Sequence, residues 1–483
     1  MMDSFDLTVL LRKQFTAPIL LWVLWLLYKD LKGSKKKPIA GLDEKSYESS
    51  PRQSEGWQPI KPMQEQVISI QSEEKENYRA WDETEPYPYK PFKPGEHRLT
   101  MGVTTIPLTY WFVLDKTYRD RIEKKWDILR TEYEDQVYHL DPAMIRDGAP
   151  ENEPESLMNA RVTISVEDVE HANEALCELY TNVVSYLVCR FPQYFQIVLS
   201  PGETAGAVFN SILREYHPMD AVHYMSLTSG EPQCVDYRCF NTDIIPDKLA
   251  KDLDVLEDDI GYRVVISCDK TRRAHELILS MARMVEDDLI LLSPNTAKQY
   301  NGEYILHSGL FAFAAGFNPR NRFLKPLTLI HGPVPEYKRD LKSQMNKFFD
   351  KLRPHTLANR VNYTFQNHDN LYVKRKFTDS RARTVEELHG GKDLHYRSER
   401  QTLIKFDTPD GRNVTVFGVR TYLWNFQDEF LVNNFYSQPE IVEELRQAIT
   451  GMNDILGKYK GRPEWGPPLI NIIEHNRKLN MAH

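Results

Sequence analysis

The chain has 483 residues, with 61 Lys and Arg against 69 Asp and Glu for a formal net charge of −8. Hydrophobic residues make up 41% and aromatics 11%, enough for a sizeable core, which excludes wholesale disorder. The acidic balance and the lack of a long basic stripe exclude a dedicated nucleic-acid binder, and Cys177, Cys189, Cys234, Cys239 and Cys268 are too scattered for a disulfide scaffold, so they read as reduced core thiols.

Thr16–Tyr28 (TAPILLWVLWLLY) is apolar apart from Thr16. It is shorter than the roughly 20 residues that span a bilayer. Extending it to Phe5 supplies length but takes in Arg12 and Lys13, which can snorkel to an interface. Lys29, Lys32, Lys35, Lys36 and Lys37 follow, and the positive-inside rule then puts the main domain in the cytosol. The expectation is a membrane anchor at 1–32, single-pass or lying on the surface, with the endoplasmic reticulum one candidate membrane. A cleaved signal peptide would need a small-residue exit, where this chain has Tyr28-Lys29-Asp30.

Residues 33–80 are polar and rich in Ser, Lys, Glu and Pro, which reads as a flexible linker, and 81–483 as the main domain. Tyr110–Arg130 has apolar residues at helical spacing, and Val166–Phe191 predicts a second helix, or a pair of helices, ending at Pro192. Val264–Ser267, Leu289–Leu292, Tyr304–Leu306 and Phe311–Ala315 read as short strands. A helix is expected at Lys338–Leu352. Thr402–Phe406 and Val414–Val419 flank Thr-Pro-Asp-Gly, a hairpin signal because Asp-Gly tolerates positive φ. Pro439–Leu456 closes the series as an amphipathic helix. Helices first and strands clustered later point to α+β.

The nucleotide-binding signatures GxxxxGK[ST] and GxGxxG, the zincin HExxH and the GxSxG elbow are all absent. What remains is a concentration of His, Arg and aromatics between residues 300 and 425. In Ile330-His331-Gly332-Pro333-Val334-Pro335 the prolines stiffen the backbone around one imidazole, as a metal ligand needs, although a lone His more often just hydrogen-bonds a loop. In His395–Leu403, alternation puts Arg397, Glu399 and Gln401 on one side of a strand and Arg400 and Thr402 on the other. Those arginines suit ligand carboxylates, or Arg397 and Glu399 simply pair with each other. Arg360-Val361-Asn362-Tyr363 and Arg420-Thr421-Tyr422 add groups of the same kind.

Taken in order, YKPFKPGEHRLTMGV (89–103), Trp111…Asp115…Tyr118, VEDDLILL (285–292), IHGPVP (330–335), RVNY (360–363), SERQTL (398–403) and VRTY (419–422) resemble the haem-dependent oxidative N-demethylase α-subunit family. The resemblance runs from about Tyr89 to about Tyr422. It implies a PAS-like antiparallel sheet with flanking helices that holds haem b, whose iron activates dioxygen to oxidise an N-methyl group of a small amine. Electrons would come from separate flavin and iron–sulfur reductase partners, modules for which this chain has no motif.

Carried onto this chain, the resemblance makes His331 the expected iron ligand, with His307 second. Arg400, Arg397 and Arg420 would face the haem propionates, and Glu399, Gln401 and Asn362 would supply polar and catalytic contacts. The chain departs from the family pattern at 307–323 (HSGLFAFAAGFNPRNRF) and in RVNY, both where a substrate pocket would lie. A non-catalytic haem-binding sensor or interaction module on the same scaffold is the alternative from another class.

Overall fold

The computed structural model describes residues 80–95, 100–144, 162, 164–199, 206–226, 255–258, 261–264, 270–295, 302–374 and 381–482. The anchor expected at 1–32 and nearly all of the 33–80 linker lie outside them, as do Cys234, Cys239 and Cys268. Among the described residues no helix is long and apolar enough to cross a membrane. Cys177 and Cys189 are buried free thiols, their pKa values pushed up by burial to about 12 and about 11.

The strands, in chain order, are β1 (Thr104–Ile106), β2 (Val137–Tyr138), β3 (Phe195–Leu199), β4 (Gly206–Asn210), β5 (Glu215–Pro218), β6 (Val255–Asp258) and β7 (Gly261–Val264). After them come β8 (Asp288–Pro294), β9 (Tyr304–Leu310), β10 (Leu357–Gln366), β11 (His395–Asp407) and β12 (Asn413–Asn425). Seven of these form one antiparallel sheet in the order β1-β10-β11-β12-β8-β9-β2. β3–β5 and β6–β7 make two smaller antiparallel sheets.

The expected hairpin is the spine of the large sheet. β11 and β12 pair from His395↔Asn425 to Asp407↔Asn413, far longer than the sequence signal suggested. Gly411 takes φ +78 in the turn, and Asp410 Oδ1 accepts from the Thr408 hydroxyl at 2.6 Å and the Arg412 N–H at 3.0 Å. β9 carries one extra residue against β8: Leu291 opposes Ser308 and Leu292 opposes Leu306, leaving His307 in a bulge.

The helices are α1 (Tyr118–Gln136), α2 (Val166–Arg190), α3 (Ala221–Ser226), α4 (Lys270–Met284), α5 (Leu327–Ile330), α6 (Tyr337–Asp340), α7 (Lys342–Lys351), α8 (Pro439–Thr450), α9 (Asp454–Lys460) and α10 (Arg462–Ala482). α1 starts later than its periodicity implies, because Trp111 and Phe112 stack on each other at 4.5 Å and pack against Tyr186. α2 starts at a reciprocal cap: the Asp168 N–H donates to Ser165 Oγ at 3.3 Å and the Ser165 N–H to Asp168 Oδ2 at 3.0 Å. The helix expected at 338–352 is broken at Leu341 into α6 and α7, and that expected at 439–456 stops at Thr450. Phe311–Ala315 is not a strand; it makes only one isolated bridge, at Ala315.

Helices α1, α2 and α4 cover one face of the large sheet, meeting Leu289, Leu291, Ile404, Phe406, Val414 and Val416 in one apolar core. The opposite face carries a second core, with Ile290, Leu292, Leu306 and Leu403 against Leu327, Tyr337, Met345 and Phe349. A third, around Tyr396, Phe426 and Trp465, packs α8–α10 beside the ends of β10 and β11. The mixture of helices with an antiparallel sheet is the α+β class expected.

Candidate functional site

A cavity of about 1680 Å³ opens on the second face of the sheet. That exceeds the roughly 300–1,000 Å³ of most small-molecule pockets. Its apolar wall comes from Ile290, Leu292, Leu306, Leu327, Met345, Phe349, Leu403 and Phe417, and its mouth from the Tyr87–Pro94 strap and the α9–α10 junction. Alternation explains the polar patch. Asn362 opposes Glu399 and Arg360 opposes Gln401 across β10 and β11, so all four share a face, and all four line the cavity.

His331 also lines this cavity. It caps the short helix α5, and its Nδ1–H donates to the Leu327 carbonyl at 2.9 Å. A carbonyl can only accept, so Nδ1 carries the proton and Nε2 keeps its lone pair. No described residue bonds Nε2. The Tyr337 ring stacks on the imidazole, centroids 5.0 Å apart and planes within 13°. Burial pushes the His331 pKa down to about 4, which keeps the ring neutral at physiological pH. A neutral, oriented imidazole with its second nitrogen tied to a carbonyl is the form a metal ligand takes.

His307 is placed differently. It is 2% exposed in the β9 bulge and does not line the cavity. Its Nε2 meets Ser293 Oγ at 2.9 Å, and Ser293 in turn meets His171 Nε2 at 2.7 Å, while His171 Nδ1 pairs with Asp410 Oδ2 at 2.9 Å. This chain of polar side chains ties β8, β9, α2 and the hairpin turn together.

Glu399, Gln401 and Asn362 come together on the cavity wall. Glu399 Oε2 accepts from Asn362 at 3.4 Å and Gln401 at 3.3 Å, and Oε1 accepts from Arg397 Nε at 3.0 Å. The Arg397–Glu399 pair, the plainer of the two sequence readings, is present. The arginines expected at propionates lie elsewhere. None of Arg397, Arg400 and Arg420 lines the cavity. Arg397 is fully buried and bonds the carbonyls of Leu371, at 3.0 Å, and Phe313. Arg400 and Arg420 project from the helix-covered face: Arg400 donates to the carbonyls of Trp111, at 3.0 Å, and Tyr110, and Arg420 pairs with Asp115 and Glu286. Alternation separates the two faces, but nothing local in the sequence says which face is hollow.

Two other arginines do line the cavity, Arg322 and Arg360. Arg360 was within reach of sequence reasoning, since it stands two residues from Asn362 on the same side of a strand. Arg322 was not, because it lies in the irregular segment between β9 and α5.

Among the described residues no cluster of three or more His, Cys, Asp or Glu side chains is arranged to hold a metal ion. A neutral imidazole beside a wide, largely apolar cavity with polar groups on its wall suits a group such as haem, which brings most of the iron's ligands itself. The donor set and the hollow fit haem. No curated protein matches the chain. The family model for haem-dependent oxidative N-demethylase, alpha subunit-like, matches residues 102–233 and 252–470, a stretch that takes in the large sheet, His331 and the cavity's polar patch. The chain therefore belongs to the haem-dependent oxidative N-demethylase alpha-subunit-like family.

Proposed function

We infer that the chain is a haem b monooxygenase in which His331 holds the iron and the substrate is a small N-methyl amine or similar molecule. The observation that carries this reading is His331 itself: Nδ1–H on the Leu327 carbonyl, Nε2 unbonded, and the ring on the wall of a cavity of about 1680 Å³. The order of the five central strands, β10-β11-β12-β8-β9, puts the first and last of the set side by side and supports a PAS-like sheet. Bound haem would supply dioxygen activation, with electrons from a separate flavin and iron–sulfur reductase. The N-terminal segment would tether the enzyme to a membrane with its main domain cytosolic.

The chain's own residues then divide the work. Leu327 fixes the His331 tautomer. The apolar wall keeps bulk water from the reacting group. Glu399, held by Arg397, presents a carboxylate edge with Asn362 and Gln401 beside it, and this patch would orient the polar end of a substrate.

The test is an absorption spectrum of the detergent-solubilised full chain, with and without dithionite and carbon monoxide. A Soret band that shifts with carbon monoxide is expected, and His331→Ala should abolish or strongly weaken it. A folded, colourless protein that takes up no haem on reconstitution would sink the assignment. Dioxygen- and reductant-dependent formaldehyde release across a panel of methylamines then separates an enzyme from a haem-binding sensor.

A further inference from the structure

Arg322 and Arg360 present an unusual electrostatic situation. Both guanidiniums are half-buried on the cavity wall, and neither makes an ion pair or a side-chain hydrogen bond with any described residue. Among the described residues Arg322 has the Phe317 ring 5.6 Å from its guanidinium carbon and Tyr459 nearby. Arg360 has a buried Nε with no partner. Other buried arginines of this protein are answered: Arg420 by Asp115 and Glu286, Arg283 by Glu215, Arg272 by Glu276. Glu399 is near enough to attract Arg360, but its oxygens are already bonded to Arg397, Asn362 and Gln401.

A partly buried charge without a hydrogen-bonded counter-ion is costly, and a ligand that supplies one relieves that cost. Burial depresses the pKa of both arginines, in keeping with that cost. The cavity as a whole leans positive: Lys90, Lys93, Lys458 and Lys460 also line it, against Glu399 and Glu464, in a chain whose net charge is −8. Both arginines line the same cavity as His331. A planar guanidinium fork matches a carboxylate with two parallel bonds.

We propose that Arg322 and Arg360 are a carboxylate clamp, receiving the carboxylates of a ligand that occupies the cavity beside His331. The clamp rests on the cavity being a haem site only for the source of those carboxylates, which are either the porphyrin's two propionates or the acid group of a carboxylate-bearing amine substrate.

The test uses the full chain stripped of haem and reconstituted with either haem or haem dimethyl ester, whose acid groups are masked. Titrations followed at the Soret band compare the wild type with Arg322→Met, Arg360→Met, the double variant and the two Arg→Lys variants, with circular dichroism as the folding control. If the porphyrin supplies the carboxylates, each Met variant loses about tenfold to a hundredfold in haem affinity and nothing in ester affinity. The Lys variants, which keep the charge but not the fork, lose less. If the substrate supplies them, haem and ester bind all variants alike, and N-methylglycine binds the wild type but not the double variant by calorimetry. Equal binding of haem, ester and N-methylglycine by the wild type and the folded double variant overturns the clamp. A wild type that takes up neither haem nor ester overturns the haem assignment, and the calorimetric arm, run on the stripped protein, then decides the clamp by itself.

Discussion

Arg420 is 1% exposed, with Asp115 Oδ2 2.9 Å from its Nη2 and a Glu286 carboxylate oxygen on the same nitrogen. Its Nη1 donates to the Val113 carbonyl. Burial pushes the Glu286 carboxyl from an ordinary 4.5 up to about 7, although Arg420 draws it down. Arg420→Met would take from two buried carboxylates the guanidinium that pairs with both, an expected loss of about 3–5 kcal/mol by chemical denaturation. The loss depends on pH. A carboxyl whose folded pKa is raised contributes stability that is full below its unfolded value, near 4.5, and is lost as pH rises through about 7. The Arg420→Met deficit is therefore expected to be larger at pH 8 than at pH 5.5, and a deficit independent of pH would refute the assignment of the charge to Glu286. Alternation along β11 suffices to put Arg397, Glu399 and Gln401 on one face and Arg400 on the other, and the sheet has them so. It says nothing of partners. Arg400 is held by the carbonyls of Tyr110 and Trp111, and no pattern near residue 400 announces a segment so distant in the chain.

Elements were legible where their cause is local. The β11–β12 turn follows from Asp410-Gly411, and the end of α2 from Pro192 just beyond it. Phe311–Ala315 has strand-like composition but is held by side chains: the Phe313 N–H donates to Asp288 Oδ2 at 2.8 Å, and the Phe313 carbonyl accepts from Arg397. That choice is tertiary, so composition misleads. Gly309 shows the reverse, a local demand invisible without the neighbouring strand. It takes φ +129 on β9, and an added Cβ would meet the Leu289 carbonyl and come within 2.8 Å of Ile290 Cα. Both obstacles are backbone, which cannot swing aside. Gly309→Ala should therefore cost more than about 3 kcal/mol and disturb the cavity wall at Ile290, where a glycine in open space would tolerate the change. Denaturant midpoints of Gly309→Ala and Gly95→Ala decide the point, since nothing lies within 4 Å of a Cβ at Gly95, although its φ is also positive. Equal costs at the two sites would mean that backbone conformation, not the approach of β8, is what Gly309 satisfies.

The cavity is a property of the whole fold. Its wall draws on the Tyr87–Pro94 strap, on β8–β10, on the α5–α7 segment, on β11 and β12, and on the α9–α10 junction. No stretch of sequence contains it, which explains why His331 could be singled out for its rigid setting while Arg322 could not. This assembly carries a thermodynamic consequence. A ligand that binds only the folded cavity stabilises the fold by mass action, by about 2.7 kcal/mol at a free concentration one hundred times its dissociation constant. Haem at that excess should shift the urea unfolding of the stripped chain by this amount. His331→Ala removes one hydrogen bond to Leu327 and the contact with Tyr337, so the stripped variant should lose only about 1–2 kcal/mol while the haem-dependent gain nearly disappears. The two quantities separate a ligand from a structural histidine. If the stripped variant shows no cooperative unfolding transition, His331 serves the fold; if it unfolds cooperatively and is indifferent to haem, its Nε2 serves the iron.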